Sequence, residues 1–258
     1  MGVVNATPDS FSDGGRFIDP KAAVDHANAL IAEGADILDI GAESSRPGAR
    51  GVPAEEELSR LIPVLEGLSD CAVPISVDTT KPDVMRAAIA AGASMINDIG
   101  ALRASGALEA VAASGAGVCL MHMQGEPRTM QHEPRYQDVV AEVGAFLAGR
   151  VAEAEAAGIA RERIAVDPGF GFGKTVAHNF ELLRDLDRIA ALGLPVLAGW
   201  SRKSTLGAIT GRGAEDRLAA SLAAALLAVQ HGAKILRVHD VAATRDALQV
   251  LAALDGKS

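Results

Sequence analysis

Ile164 to Lys174 reads I-A-V-D-P-G-F-G-F-G-K, a short apolar run that ends at a carboxylate and breaks into a glycine-punctuated loop. Ile164 to Val166 has the length and branching of a buried strand, and Pro168 cannot continue its ladder, so Asp167 falls at a strand's C-terminal end. The tail comes close to the phosphate-cradling pattern G-x-x-x-x-G-K-[ST], but Pro168 stands where that pattern needs glycine, and the match is weak. A polar residue also stands at or just past the end of each other short apolar run: Asn5, Asp39 with Glu43, Asp78, Asn97 with Asp98, His122, Ser201 with Lys203, and Arg237 with His239. Two carboxylates and an amide, Asp78, Asp167 and Asn97, face a cationic set of Lys203, Arg237 and His239. That combination suits a planar heterocycle, because carboxylates accept from a guanidine-like N–H edge while Lys and Asn donors answer a carbonyl and a ring nitrogen. Pterin and guanine both fit. Arg237 and His239 alternate past Val238 and point to one side, with Asn5 on the neighbouring strand, which makes an anion pocket suited to phosphate. The six histidines are dispersed, against a zinc cluster. Asn5 with phosphate oxygens would suit Mg²⁺, a cation that prefers hard oxygen ligands and retained water.

These residues can share a site only if the fold brings the strand ends together. The expected strands are Gly2 to Val4, Ile37 to Ile40, Pro74 to Val77, Met95 to Ile96, Val118 to Met121, Ile164 to Val166, Pro195 to Ala198 and Ile235 to Val238. Helical patterns lie between them at Pro20 to Glu33, Ala54 to Leu68, Pro82 to Ala91, Gly106 to Ser114, Tyr136 to Ala157, His178 to Ala191, Glu215 to His231 and Val241 to Leu254. Glycine recurs where helix gives way to strand, at Gly34, Gly92, Gly115 and Gly232, where a left-handed cap would end the helix. Strict alternation argues for a parallel sheet, and the count selects a closed α/β barrel, a single (β/α)8 TIM barrel, over an open sheet. A barrel converges its strand ends on one mouth, which turns the polar residues into a site, while Asp98 and Arg202 read better as groups that solvate loop starts. One domain over residues 1–258 is expected, with a few disordered residues after Asp255.

Composition bounds the partners. A net charge of −9, with Lys and Arg scattered, argues against nucleic acid and anionic lipid and for a small-molecule partner. No apolar run reaches membrane-spanning length, and the opening residues do not follow the basic, apolar and small-residue order expected of a signal peptide. Cys71 and Cys119 lack metal-ligand spacing and read as buried, reduced thiols, so a cytoplasmic protein is expected.

The motifs M-G-V-V-N-A-T-P-D-S-F-S-D-G-G from Met1, D-I-G-A-E-S-S-R-P-G from Asp39, I-S-V-D-T from Ile75 and I-N-D-I from Ile96 run on into L-M-H-M-Q-G from Leu120. D-P-G-F-G-F-G-K from Asp167, S-R-K-S from Ser201 and R-V-H-D-V from Arg237 complete the set. Together they resemble the dihydropteroate synthase family of folate biosynthesis, nearly end to end. The resemblance implies a TIM-barrel homodimer that joins 4-aminobenzoate to 6-hydroxymethyl-7,8-dihydropterin pyrophosphate, with Mg²⁺ present and pyrophosphate released. Carried over by position, it makes Asp78, Asn97, Asp167 and Lys203 the pterin contacts, with Met121 and Phe172 beside the ring. It makes Asn5, Ser45, Arg237 and His239 the pyrophosphate end, with Asn5 toward the metal. Thr7, Phe11, Ser45, Arg46, Pro47, Ser201 and the stem of Lys203 would surround aminobenzoate, and a sulfonamide would mimic that substrate. Ala42, Ser45 and Trp200 depart from the family's usual residues on the aminobenzoate side. The rival readings are a pterin-binding methyltransferase acting on methyltetrahydrofolate and a non-catalytic pterin-binding barrel; neither would release pyrophosphate.

Overall fold

The computed structural model describes residues 1–7, 19–44, 51–254 and 256. Phe11, Ser45, Arg46 and Pro47, and the tail after Asp255, lie outside the described residues apart from Gly256. The strands are β1 Gly2–Asn5, β2 Leu38–Gly41, β3 Ile75–Asp78, β4 Met95–Asp98, β5 Gly117–Met121, β6 Ile164–Asp167, β7 Val196–Ala198 and β8 Ala233–Leu236. They form one eight-stranded sheet in sequence order, every pair parallel. Just past β8, Val238 bridges to Gly2 of β1, with Val3 N donating to Val238 O at 3.0 Å, and this closes the barrel.

The helices are α1 Pro20–Ala32, α2 Ala54–Gly67, α3 Pro82–Ala90, α4 Ala107–Ala112, α5 Val139–Ala156, α6 Val176–Arg184, α7 Leu186–Ala190, α8 Ser204–Thr210, α9 Leu218–Gln230 and α10 Val241–Leu254. Helix α1 starts where its chemistry says it should: Pro20 opens it and the Asp19 side chain accepts from Lys21 N at 2.9 Å. Gly34 and Gly92 take φ of 95° and 100° after their helices, as the junction pattern requires. Gly115 is absent from the left-handed set, and there Ser114 Oγ closes the turn by accepting from Ala116 N at 3.2 Å.

Several elements differ from the sequence expectation. The helix expected over His178 to Ala191 breaks at Asp185, whose ψ of 29° leaves the helical range and separates α6 from α7. Short α8 follows Lys203; seven residues with two β-branched threonines and Gly207 gave no helical periodicity to read. Strands β3, β4 and β6 run further than their apolar cores, so Asp78, Asn97, Asp98 and Asp167 are ladder residues rather than the first residues of loops. The polar side chains are therefore fixed by the sheet itself.

Alternation along the strands divides the core in two. Ile40, Val77, Ile96, Val118, Leu120, Val166 and Val196 face the helices in the large outer core. Met1, Ile37, Met95, Cys119, Ala165, Leu197 and Ile235 pack together inside the barrel and plug its lower end. Cys119 is buried there, whereas Cys71 is only half-buried.

Candidate active site

Above the apolar plug the inward positions turn polar. The register sets Asn5 beside Gly41, Gly41 beside Asp78 and Asp78 beside Asn97, one row across four strands. On the far side Met121 is level with Asp167. Gly41 keeps that row open: a Cβ there would lie 3.6 Å from the Asp78 Cβ.

The deepest charged group is Asp39, fully buried on β2 two residues below Gly41. Its Oδ2 accepts from Arg237 Nε at 2.5 Å and from Asn97 Nδ2 at 3.2 Å. Its Oδ1 is buried with no hydrogen-bond partner among the described residues. The second arm of the Arg237 fork, Nη2, donates to Asp78 Oδ2 at 3.1 Å. Burial raises the Asp78 carboxyl to about 7 although Arg237 pulls the other way, with Asp39 and Asp98 adding repulsion. Arg237 stays charged: burial opposes its charge, but Asp39 and Asp78 outweigh that and move its pKa up. Asp39, expected at the mouth among the strand-end polar residues but given no role there, anchors this cluster. Its inward parity with Gly41 places it below the ring residues, where it meets Arg237 rather than a ligand.

Opposite stands Asp167, buried, with Oδ1 accepting from Gly169 N at 2.7 Å. Burial raises its pKa, while Gly169 N–H, Lys203 and Lys174 favour the ionised form. Lys203 Nζ lies 4.2 Å from the centre of the Phe172 ring, a cation–π contact. Burial lowers the Lys203 ammonium to about 8, with Asp167 opposing the shift. Met121, Met123, Met130 and Ile99 form an apolar wall on which Phe172 packs. The expected pterin residues Asp78, Asn97, Asp167, Lys203, Met121 and Phe172 thus come together at one mouth. A cavity of about 250 Å³ opens beside Asp78, walled by Thr79, Thr80, Ile99, Met123, Glu126 and Arg128.

His239 Nδ1 lies 2.9 Å from Ser201 Oγ, which also accepts from His239 N at 3.2 Å. Burial and then Arg237 hold His239 down to about 4, so it is a neutral imidazole near pH 7 and not a member of the cationic set. Arg237 and His239 do not share a partner: the guanidinium turns to Asp39 and Asp78, the imidazole to Ser201. Asn5 ends β1, half-buried, and Thr7 stands two residues beyond it.

Other rim residues are structural. Asp98 accepts from Gly100 N at 2.6 Å and Leu102 N at 2.7 Å, and Arg202 pairs with Asp240 at 2.7 Å. Trp200 faces away from the mouth and packs on Phe170 and Phe180 with centroids 4.6 and 5.6 Å away, and Ala42 is buried in the outer core. Neither contributes a wall to the mouth.

A family model described as pterin binding enzyme matches residues 1–239. The dihydropteroate synthase of Escherichia coli (strain K12) is 52% identical over 254 residues, covering 98% of this chain and 90% of that protein. Among solved structures, Xanthomonas albilineans dihydropteroate synthase with 4-aminobenzoic acid superposes with a TM-score of 0.93 at 58% identity, covering 99% of this chain and 92% of that one. The Burkholderia cenocepacia enzyme complexed with 7,8-dihydropteroate gives a TM-score of 0.91 at 53% identity, with 99% and 91% covered.

Proposed function

The chain belongs to the pterin-binding enzyme family, and on that premise we propose that it works as a dihydropteroate synthase, a transferase of folate biosynthesis. It joins 4-aminobenzoate to 6-hydroxymethyl-7,8-dihydropterin pyrophosphate and yields 7,8-dihydropteroate and pyrophosphate. The observation that carries this is the Arg237 guanidinium lying on Asp39 and Asp78. A planar N–H edge is already what these carboxylates accept, and the pterin offers another of the same kind.

In this reading Asp78, Asp167 and Asn97 bind the edge of the ring, Lys203 donates to its carbonyl and ring nitrogen, and Met121 and Phe172 cover its faces. Asn5, Ser45, Arg237 and His239 receive the pyrophosphate. Breaking the methylene C–O bond sends its electron pair to the pyrophosphate and leaves a cation that the electron-rich dihydropterin delocalises. The neutral arylamine then forms the new C–N bond and sheds its proton, so no dedicated base is assigned. Preorganised charge does most of this work, and losing one such partner costs about 3 kcal/mol in the transition state. Thr7, Phe11, Ser45, Arg46, Pro47 and Ser201, with the stem of Lys203, surround the aminobenzoate, where a sulfonamide would compete.

Among the described residues no three His, Cys, Asp or Glu side chains gather as a metal cage. A single amide oxygen at Asn5, completed by substrate oxygens and water, fits Mg²⁺, which takes few protein ligands. Bound there, Mg²⁺ would neutralise charge on the departing pyrophosphate. We assign the chain one barrel domain and a homodimer, supported by the exposed apolar residues Leu218 and Leu227 of α9 and Val250 and Leu254 of α10. No helix among the described residues is long and apolar enough to cross a membrane, and both cysteines are free, which supports a cytoplasmic enzyme with small-molecule substrates. Pyrophosphate release measured with and without 4-aminobenzoate tests the function. Release that requires both substrates is expected, and pterin binding without release would leave only a binding protein.

A further inference from the structure

The mechanism above makes no use of Lys174, yet this lysine is 3% exposed at the foot of the pterin pocket. Burying an ammonium is costly unless every donor is answered. Here four acceptors surround the three donors: His122 Nδ1 at 2.9 Å, Gly169 O at 3.0 Å, Phe172 O at 3.0 Å and, further out, His122 O at 3.5 Å. Gly169 O also accepts from Phe172 N at 3.0 Å, so the ammonium binds the carbonyl of Phe172 and the carbonyl on which its N–H rests. Neighbouring carbonyls are taken as well, Gly171 O by Gln131 Nε2 at 2.5 Å and Gly173 O by Tyr136 Oη at 2.8 Å. The loop packs against the segment just past β5 so closely that only glycine fits at two positions. At Gly169, with φ of +69°, a Cβ would come within 1.9 Å of His122 O, and at Gly173 within 2.5 Å of Gln124 O. A loop needing only bulk here could have used an apolar side chain.

We propose that Lys174 is a positioning residue for the pterin pocket: it gathers Gly169, Phe172 and His122 onto one ammonium, sets the Phe172 ring against Lys203, and keeps positive charge behind Asp167. This rests on the reading of that pocket as the pterin site. The charged groups that face Lys174 are Asp167, whose attraction supports its proton, and Lys203, which opposes it. His122 faces it through Nδ1, and an ammonium there calls for the tautomer that carries its proton on Nε2. Burial first, and Lys174 second, hold His122 down to about 3. Burial also lowers Lys174 to about 7, so the clamp is strongest on the acid side of neutrality.

Lys174→Met keeps the length of the side chain and removes its charge. Calorimetry at about pH 6.5 should show pterin affinity falling by roughly tenfold or more, and Lys174→Arg should regain part of it. The parent's affinity should carry a component that declines as pH rises through about 7, set against the rise that ionisation of Asp78 brings, and Lys174→Met should lose the declining component alone. A merely structural lysine would lower the melting temperature and leave the affinity of the folded protein and its pH profile alone. Histidine ¹⁵N NMR gives a reading that needs no ligand. In the parent, Nδ1 of His122 should stay unprotonated between about pH 5 and 8, and in Lys174→Met the ring's titration should move up in pH, because the second-largest cause that depresses it is gone. Should Lys174→Met fail to fold, His122→Phe removes one acceptor and preserves the edge contact with Phe146, 4.9 Å between centroids; a smaller loss in the same direction is expected. Parent-like pterin affinity in whichever variant folds, or a protonated Nδ1 in the parent, overturns the proposal. A parent that shows the NMR signature and binds no pterin overturns the pocket reading instead.

Discussion

Arg237 Nη2 lies 3.1 Å from Asp78 Oδ2, so the carboxylate proposed to take the ring's N–H edge already holds a guanidinium. A pterin that claims Asp78 must share it with Arg237 or turn the fork outward, toward the pyrophosphate end. Arg237→Ala therefore removes a competitor and a leaving-group partner together. Turnover should fall by roughly a hundredfold or more, as for loss of one preorganised donor. Binding of a pterin without pyrophosphate should change by much less. Steady-state kinetics beside calorimetry separates the two, and equal losses would confine Arg237 to pairing with Asp39 and Asp78.

Asp167→Asn keeps the shape of the β6 end and the acceptor for Gly169 N, and removes the charge. A charge-assisted bond of this kind is worth roughly 1.5 to 3 kcal/mol. Pterin affinity should drop accordingly, with the melting temperature level or higher because a buried charge is gone. Unchanged affinity by calorimetry would mean the ring is held elsewhere.

The barrel and most of its mouth were legible in the sequence because both obey short-range rules. Branched runs such as Ile164 to Val166 end at a polar residue, and period-2 alternation sends Asp78 and Asp167 to the same side of the wall. What stayed hidden depends on three-dimensional company. Asp39 read as one more polar residue at a strand end, and its role as the anchor of Arg237, nearly two hundred positions away, depends on the fold. Lys174 read as the end of a glycine motif, and only the approach of β5 shows that its ammonium is enclosed. The charge state of His239 was misjudged for the same reason: burial and the nearby Arg237 keep it neutral, and neither is visible in one dimension.

The Asp78 carboxyl, raised by burial to about 7, makes stability and binding respond oppositely to pH. Between its ordinary value near 4 and about 7 the folded state holds a proton that the unfolded chain has lost, so this group's stabilising contribution fades as pH rises through that window. Ring binding needs the ionised form, so affinity should climb over the same range. Asp78→Asn should therefore gain melting temperature on the parent as pH goes from about 5 to 8, and bind pterin weakly throughout. A difference in melting temperature that does not vary with pH would place the Asp78 pKa outside this range.

Glu43 follows β2 and Val52 precedes α2, and one carboxylate joins them: Glu43 Oε1 accepts from Val52 N at 2.8 Å. Between these two lie Ser45, Arg46 and Pro47, which we propose to meet aminobenzoate. Glu43 is held in turn, its Oε2 2.6 Å from Lys81 Nζ, and Lys81 is also 2.6 Å from Oε2 of the fully buried Glu57. Lys81→Met would leave Glu57 buried without its cation, which should cost roughly 3 kcal/mol of stability, and would release Glu43. The KM for aminobenzoate should rise several-fold while pterin affinity stays near the parent's. Lys81→Met combined with Glu57→Leu separates the two effects, because it removes the stranded charge and still leaves Glu43 unheld. Stability should recover and the raised KM should persist. If the KM recovers along with the melting temperature, Lys81 only neutralises Glu57, and the link from Glu43 to the aminobenzoate residues is lost.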